Sequence, residues 1–333
     1  MKRNLFQIMI MVSLLIIATS ACKKVAVSGV NIDSDLLVAI GQTRTLTLSF
    51  IPPDAHNQNV SWESSDLNVA TVVSGKVTGK ALGKATITVK TDDGGRTAKC
   101  FVTVVQPIEP EMVKVEGGTF TMGCTDEQES DCLDSEMPNH QVTLSAYNIA
   151  KYTVTQKEWI AIMGSNPSFY AVVGDNIPVN RVTCDDIQKY ITHLNALTGK
   201  NYRLPTEAEW EFAARGGIKS QKTKYSGGND IDLVAWYDGN GYSNNRIHPV
   251  GQKHPNELGI YDMSGNITEW CSDWYGNYTS NQQTNPTGGS TGASRVIRGG
   301  CSYNEASQCR VSYRFGCLPE TVDVAIGFRL VHP

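Results

Sequence analysis

Two groups of residues in this 333-residue chain have types and spacings that suit chemistry. The first is Asp262-Met-Ser-Gly-Asn-Ile-Thr-Glu269, followed by Trp270. A glycine turn between two acids lets the chain curl, so that both carboxylates and the carbonyls between them can face one point. Such a loop makes an oxygen cage for a hard cation such as Ca²⁺. The same stretch also reads as a polar turn, with Asp262 accepting from backbone amides and Glu269 in an ion pair. The second group is the nine cysteines. Cys124 and Cys132 flank an acidic loop and form a natural local pair. Cys271, Cys301, Cys309 and Cys317 gather toward the C-terminus, while Cys100 and Cys184 stand apart as buried free thiols. The histidines at 140, 193, 248 and 254 read as solvated or structural: only His248 and His254 stand at a zinc-like spacing, and no cysteine pair at zinc spacing accompanies them. Trp210, Trp236, Trp270 and Trp274 read as core aromatics of a loop-rich domain.

The compartment decides how thiols are read. Met1-Lys-Arg-Asn supplies a positive start, and Leu5 to Ala18 is an apolar run too short to span a bilayer. It ends in Thr19-Ser-Ala-Cys22, small residues before a cysteine that resemble the lipobox of bacterial lipoproteins. Residues 1–21 are therefore expected to be a signal peptide, and Cys22 a lipidated N-terminus anchored in the outer membrane or at the cell surface. The remaining cysteines become disulfide candidates. A net charge of −4 without long basic blocks argues against a nucleic-acid partner.

The chain must position these groups with two kinds of structure. Residues 22–105 alternate apolar and polar in short runs, as in Ala85-Thr-Ile-Thr-Val89 and Cys100-Phe-Val-Thr-Val-Val105, with Asp92-Asp-Gly-Gly95 as the turn between. Arg44 to Phe50 alternates likewise, with Leu46, Leu48 and Phe50 on one face. The pattern predicts an all-β sandwich. Its strings Val60-Ser-Trp-Glu-Ser-Ser65, Gly75-Lys-Val-Thr-Gly79 and Gly83-Lys-Ala-Thr-Ile-Thr-Val89 resemble the bacterial immunoglobulin-like group 2 domain, a spacer or adhesive module. Residues 106–110 form a linker stiffened by two prolines. Residues 111–333 are α+β and loop-rich. Thr155-Gln-Lys-Glu158 is a capping box opening a short helix. Apolar residues at helical spacing predict a second helix over 185–197, stopped by Gly199. Thr206-Glu-Ala-Glu209 is another capping box, its helix running to Arg215 and stopped by Gly216-Gly217. So much irregular chain needs ties, and metal ions and disulfides are the expected ones.

Several strings in this second region point to one family. They are Met112-Val-Lys-Val-Glu-Gly-Gly-Thr-Phe-Thr-Met-Gly123, Tyr202-Arg-Leu-Pro-Thr-Glu-Ala-Glu-Trp-Glu-Phe-Ala-Ala-Arg-Gly216, Asp262 to Trp270, Arg295-Val-Ile-Arg-Gly-Gly300 and Gly327-Phe-Arg-Leu-Val331. Residues 111–333 resemble the formylglycine-generating-enzyme (sulfatase-modifying factor) domain, whose fold is C-type-lectin-like. The resemblance implies a structural Ca²⁺ held by the carboxylates of Asp262 and Glu269 and the carbonyls of Gly265 and Ile267. In the oxidases of the family, Cu(I) held by two nearby cysteines converts a sulfatase cysteine to formylglycine with O₂; soft thiolates suit that ion. Here the candidates Cys301 and Cys309 are eight positions apart, and Cys301 falls where the enzymes carry serine. A disulfide role for Cys271, Cys301, Cys309 and Cys317 is favoured over copper.

These features favour a non-catalytic, calcium-braced protein of the cell envelope that binds a surface protein or glycan. Its ligand-contacting residues would be Ser302, Tyr303, Asn304, Glu305 and Gln308, with the 317–325 loop beside them. The alternatives are a copper oxidase acting through Cys301 and Cys309, and a structural lipoprotein of an envelope complex.

Overall fold

The computed structural model describes residues 24–169, 171–240 and 247–333. The expected signal peptide and Cys22 lie outside them. No helix among the described residues is long and apolar enough to cross a membrane.

Up to Val105 the chain is all β: β1 (Gly29–Asn31), β2 (Asp35–Ala39), β3 (Thr43–Thr45), β4 (Ser49–Ile51), β5 (Val60–Ser64), β6 (Ala70–Val73), β7 (Lys76–Gly79), β8 (Gly83–Thr91) and β9 (Thr97–Val105). One sheet runs β2-β9-β8-β5 and a second β3-β7-β6, with β1 paired to β4. The period-2 pattern sends Ala85 and Ile87 of β8 and Cys100, Val102 and Val104 of β9 into one core, shared with Leu46, Ala70 and Val77. Cys100 is a free thiol there, and burial, helped by Asp33 and Asp35, pushes its pKa up to about 11. The alternating run Arg44–Phe50 is not one strand. It changes partners, β3 pairing with β7 and β4 with β1, and between them the Thr47 N–H donates to the Asp33 side chain at 2.6 Å.

The second region contributes β10 (Met112–Val115), β11 (Gly118–Met122), β12 (His140–Leu144), β13 (Tyr147–Ala150), β14 (Thr268–Trp274), β15 (Gln283–Thr284), β16 (Arg295–Arg298), β17 (Arg314–Cys317), β18 (Ile326–Gly327) and β19 (Val331–His332). They form the small sheets β10-β13-β19, β11-β12-β15 and β17-β16-β14-β18. The helices are α1 (Gln156–Met163), α2 (Cys184–Thr198) and α3 (Glu207–Ala214), with a single turn at Ile231–Val234. Both expected capping boxes form, at Thr155/Glu158 and Thr206/Glu209. A third, Thr183/Asp186, starts α2 one residue before the predicted span, and Gly199 stops it with φ 73°.

Metal ions and disulfides were the expected ties of the irregular chain. One disulfide, Cys124–Cys132, forms as the spacing predicts. The main ties are buried arginine–glutamate pairs. The α3 helix is buried along its whole length, and Glu207, Glu209 and Glu211 each meet an arginine from elsewhere. Arg314 holds Glu207 through two bonds of 2.6 and 2.8 Å, Arg203 holds Glu209, and Arg298 and Arg215 share Glu211. Arg310 grips Glu136 at 2.8 and 2.6 Å. Burial, the largest influence, works to raise the Glu207 carboxyl, yet Arg314, Arg298 and the Tyr278 hydroxyl together outweigh it and hold the group below its ordinary value.

The two regions are docked. Ala39 and Val105 join the same apolar cluster as Leu194 and Leu197 of α2. The Gln42 and Arg44 side chains donate to the Ala196 carbonyl near the end of α2, at 3.3 and 3.0 Å. These bonds satisfy a carbonyl the helix leaves open. Linker residue Glu109 is held by Lys200 and by the Tyr202 hydroxyl, each at 2.7 Å. Replacing both Gln42 and Arg44 by Ala should therefore speed proteolysis within residues 106–110 several-fold over the wild type, read by timed digestion with thermolysin, which cuts before apolar residues such as Ile108; an unchanged rate would show that the side chains do not hold the domains together.

Candidate functional site

The stretch Asp262 to Trp270 enters β14 and lies wholly inside the protein. Glu269 is saturated: Oε1 accepts from Thr153 Oγ1 (2.6 Å) and Arg329 Nη2 (2.8 Å), and Oε2 from Trp210 Nε1 (2.7 Å) and Arg329 Nε (2.6 Å). Four donors fill the lone-pair positions of a carboxylate. Asp262 accepts the Gly251 N–H at 2.7 Å, and burial, with Glu269 nearby, pushes its carboxyl up to about 6. The Gly265 carbonyl accepts the Ile267 N–H at 2.9 Å. The set Asp262, Gly265, Ile267 and Glu269 does not fit a calcium cage in this arrangement, because Glu269 already serves Arg329.

The turn at Gly265-Asn266 has a different task. Gly265 takes φ 73°, and a Cβ there would stand 2.2 Å from the Trp236 carbonyl oxygen, so no other residue fits. Its N–H donates to Gly299 O at 2.8 Å. The fully buried Asn266 accepts the Ser302 N–H on its carbonyl at 3.1 Å, and its side chain bonds His248 N–H and carbonyl at 2.9 and 3.1 Å. The turn therefore anchors the start of the 301–309 loop.

The expected cysteine disulfides do not form: Cys271, Cys301, Cys309 and Cys317 are free thiols, as is Cys184. Cys271 sits in the core beneath β14, with no cysteine beside it in that cluster. Burial raises the Cys301 and Cys309 thiols above their ordinary value, which keeps both protonated. Only Cys301 lines an open cavity; Cys309 packs with Tyr225, Val234 and Ala235. One cavity-facing thiol beside one core thiol does not fit the copper pair.

That cavity, about 260 Å³, lies on the C-terminal face between the 301–308 loop and residues 323–326. Asn304 and Gln308 line it and hold each other: Asn304 Nδ2 donates to Gln308 Oε1 (3.1 Å), and Gln308 Nε2 to the Tyr313 hydroxyl (3.1 Å). Tyr303 and Glu305 are exposed on the loop. Ser302, expected among the contacting residues, is 1% exposed and points inward, so it is a scaffold residue. The expected set omits Phe315, which lines the cavity and is 57% exposed. On β17 it alternates with buried Arg314, a period-2 signal available once that strand is recognised. Leu318 and Val322, on the loop that follows, are also exposed. Of the tryptophans, Trp210 and Trp270 are core; Trp236 is half-buried, stacked on His248 at 3.7 Å, and Trp274 lies under Arg295 at 3.6 Å.

The model of the sulfatase-modifying factor enzyme 1-like domain matches residues 98–333, the first of which still lie on β9. That of the bacterial Ig-like domain (group 2) matches residues 26–102. The chain thus belongs to the sulfatase-modifying factor enzyme 1-like family, with a C-type-lectin-like fold preceded by a group 2 Ig-like domain. It is 35% identical over 262 residues to the chaperone protein LppX of Paenibacillus barcinonensis, covering 64% of this chain and 86% of that protein. To the formylglycine-generating enzyme of Streptomyces coelicolor it is 28% identical over 283 residues, covering 65% and 87%. Among solved structures, Treponema denticola variable protein 1 aligns with a TM-score of 0.59 at 28% identity, over 72% of this chain and 96% of that one.

Glu269→Gln would leave the Arg329 guanidinium buried with its charge unmatched. It should cost about 3–5 kcal/mol in chemical denaturation, and neither calcium nor EDTA should move the wild-type Tm. A calcium-dependent rise in Tm that Glu269→Gln abolishes would restore the cage.

Proposed function

We propose that this chain is a non-catalytic binding protein of the cell envelope, which holds an apolar segment of a surface or extracellular protein on its C-terminal face. The observation that carries this reading is the open cavity on that face, with Phe315 on its wall and Tyr303, Leu318 and Val322 exposed on the loops. Exposed large apolar side chains around a cavity suit a partner's side chain better than solvent. The copper-pair position offers one buried, protonated thiol to such a ligand. Loop residues 302–308 are braced from below by Asn266 and from within by Asn304 and Gln308, so the surface is preorganised, which lowers the ordering cost of binding. The Ig-like domain, docked to α2, holds the face away from a lipid anchor at Cys22. Two of the similar proteins, a chaperone and a variable protein, are compatible with binding; a glycan ligand is the alternative outcome.

Selection of a random-peptide library on the purified protein should enrich apolar sequences. Phe315→Ser with Leu318→Ser should weaken them about tenfold or more while Tm stays unchanged. Equal binding by wild type and double variant, or binding only on a glycan array, would overturn the protein-ligand reading.

The oxidase reading draws on Cys301 at the cavity wall. Incubation with Cu(I), O₂ and a peptide carrying Cys-x-Pro-x-Arg should yield no aldehyde by mass spectrometry, and turnover lost in Cys301→Ser would replace the binding reading with catalysis.

A further inference from the structure

A second cavity, about 280 Å³, lies between the end of β14, residues 276–279 and the Pro286–Gly289 segment. It shares no lining residue with the C-terminal cavity. Its floor holds Asp273, which is 4% exposed. Asp273 Oδ2 accepts the Glu207 N–H and the Ser272 hydroxyl, each at 3.0 Å, whereas Oδ1 accepts nothing from the protein among the described residues. Gly288 approaches this side with φ 70°. A Cβ there would stand 3.0 Å from Oδ1 and 2.8 Å from the Asp273 Cβ, so the glycine keeps the oxygen accessible.

The charges nearby are matched except this one. On α3, Glu207 is held by Arg314 and Glu209 by Arg203. Arg295 of β16 stacks on Trp274 and donates to the Ser272 carbonyl, and Arg314 also lies over the Tyr278 ring at 4.1 Å. His140 of β12 lines the cavity and sets its Nδ1 against the Pro138 carbonyl. Asp273 makes no ion pair with a guanidinium or ammonium among the described residues; Arg203, which feels its charge, is bound to Glu209. Burial, and then the Glu207 charge, push its carboxyl up to about 7, as expected for a carboxylate lacking a counter-ion.

We propose that this cavity binds a small organic ligand through an ammonium group, with the Asp273 carboxylate as its counter-ion. An ammonium offers three donors and a full charge to a buried carboxylate, where a hydroxyl offers one donor and no charge. A bare divalent metal would need several carboxylate or histidine ligands, and no group of three or more occurs among the described residues. Trp274 and Tyr278 supply apolar walls, and Asn277 and Gln283 add amide groups at the lining.

D-glucamine and D-sorbitol differ only in an ammonium for a hydroxyl, so titrating each into the full chain at pH 8, by calorimetry or chemical-shift change, isolates the charge. D-glucamine should bind at least tenfold more tightly than D-sorbitol. Asp273→Asn retains an acceptor for the Glu207 N–H, so its Tm should hold while D-glucamine binding is lost. Equal affinity for the two ligands, no binding of either, or undiminished binding of D-glucamine by folded Asp273→Asn would each overturn the proposal. The ligand comparison stands on wild-type protein alone should the variant not fold.

Discussion

The C-terminal domain depends on charges it cannot leave unpaired. Arg298, Arg310, Arg314 and Arg329 are buried, and each meets a buried glutamate from a distant part of the chain: Glu211, Glu136, Glu207 and Glu269. A guanidinium stays charged at any physiological pH, and its fork fits one carboxylate in one plane. Stranding such a group costs several kcal/mol, a large share of the total stability of a typical domain. Loops with few backbone ladders are thereby held to one arrangement, because an alternative packing leaves an ion alone in the core.

Placement of the pairs braces the candidate face at both ends. Arg298 and Arg314 emerge from neighbouring strands of one sheet and close on α3, while Arg310 ends the 301–309 loop and reaches Glu136. The loop is pinned at its other end by Gly265 and Asn266. What is left to vary between the pins is the exposed surface, Tyr303 and Glu305 on the loop and Phe315 on the strand. Asp273 shows the converse: the same helix that collects arginines for its glutamates leaves this neighbouring carboxylate without an ion pair among the described residues.

Much of the local structure was legible. Capping boxes at Thr155 and Thr206 place two helix starts because hydroxyl, carboxylate and backbone lie within one turn. The Thr183 box was missed, since Asp186 rather than Glu closes it. Period-2 runs located the N-terminal core, although Arg44–Phe50 splits where its strand partner changes. At the site, the sequence pointed to Glu269 and to the 302–308 loop, but it assigned Glu269 to a metal and Ser302 to a ligand. Both assignments concern which way a side chain faces across the fold, and a linear motif carries no such direction.

The sequence by itself determined the order of domains, the starts of two helices, the Cys124–Cys132 pair and the position of the tight turn at Gly265. Each follows from interactions spanning a few residues. Only the tertiary structure decided that the arginines of the closing strings are the ties, that Cys301 and Cys309 face different surroundings, and that Phe315 stands at a cavity. An ion pair such as Arg310–Glu136 joins residues 174 positions apart. Its partner choice is set by which groups are buried together, a property of the folded interior and not of any local stretch of chain.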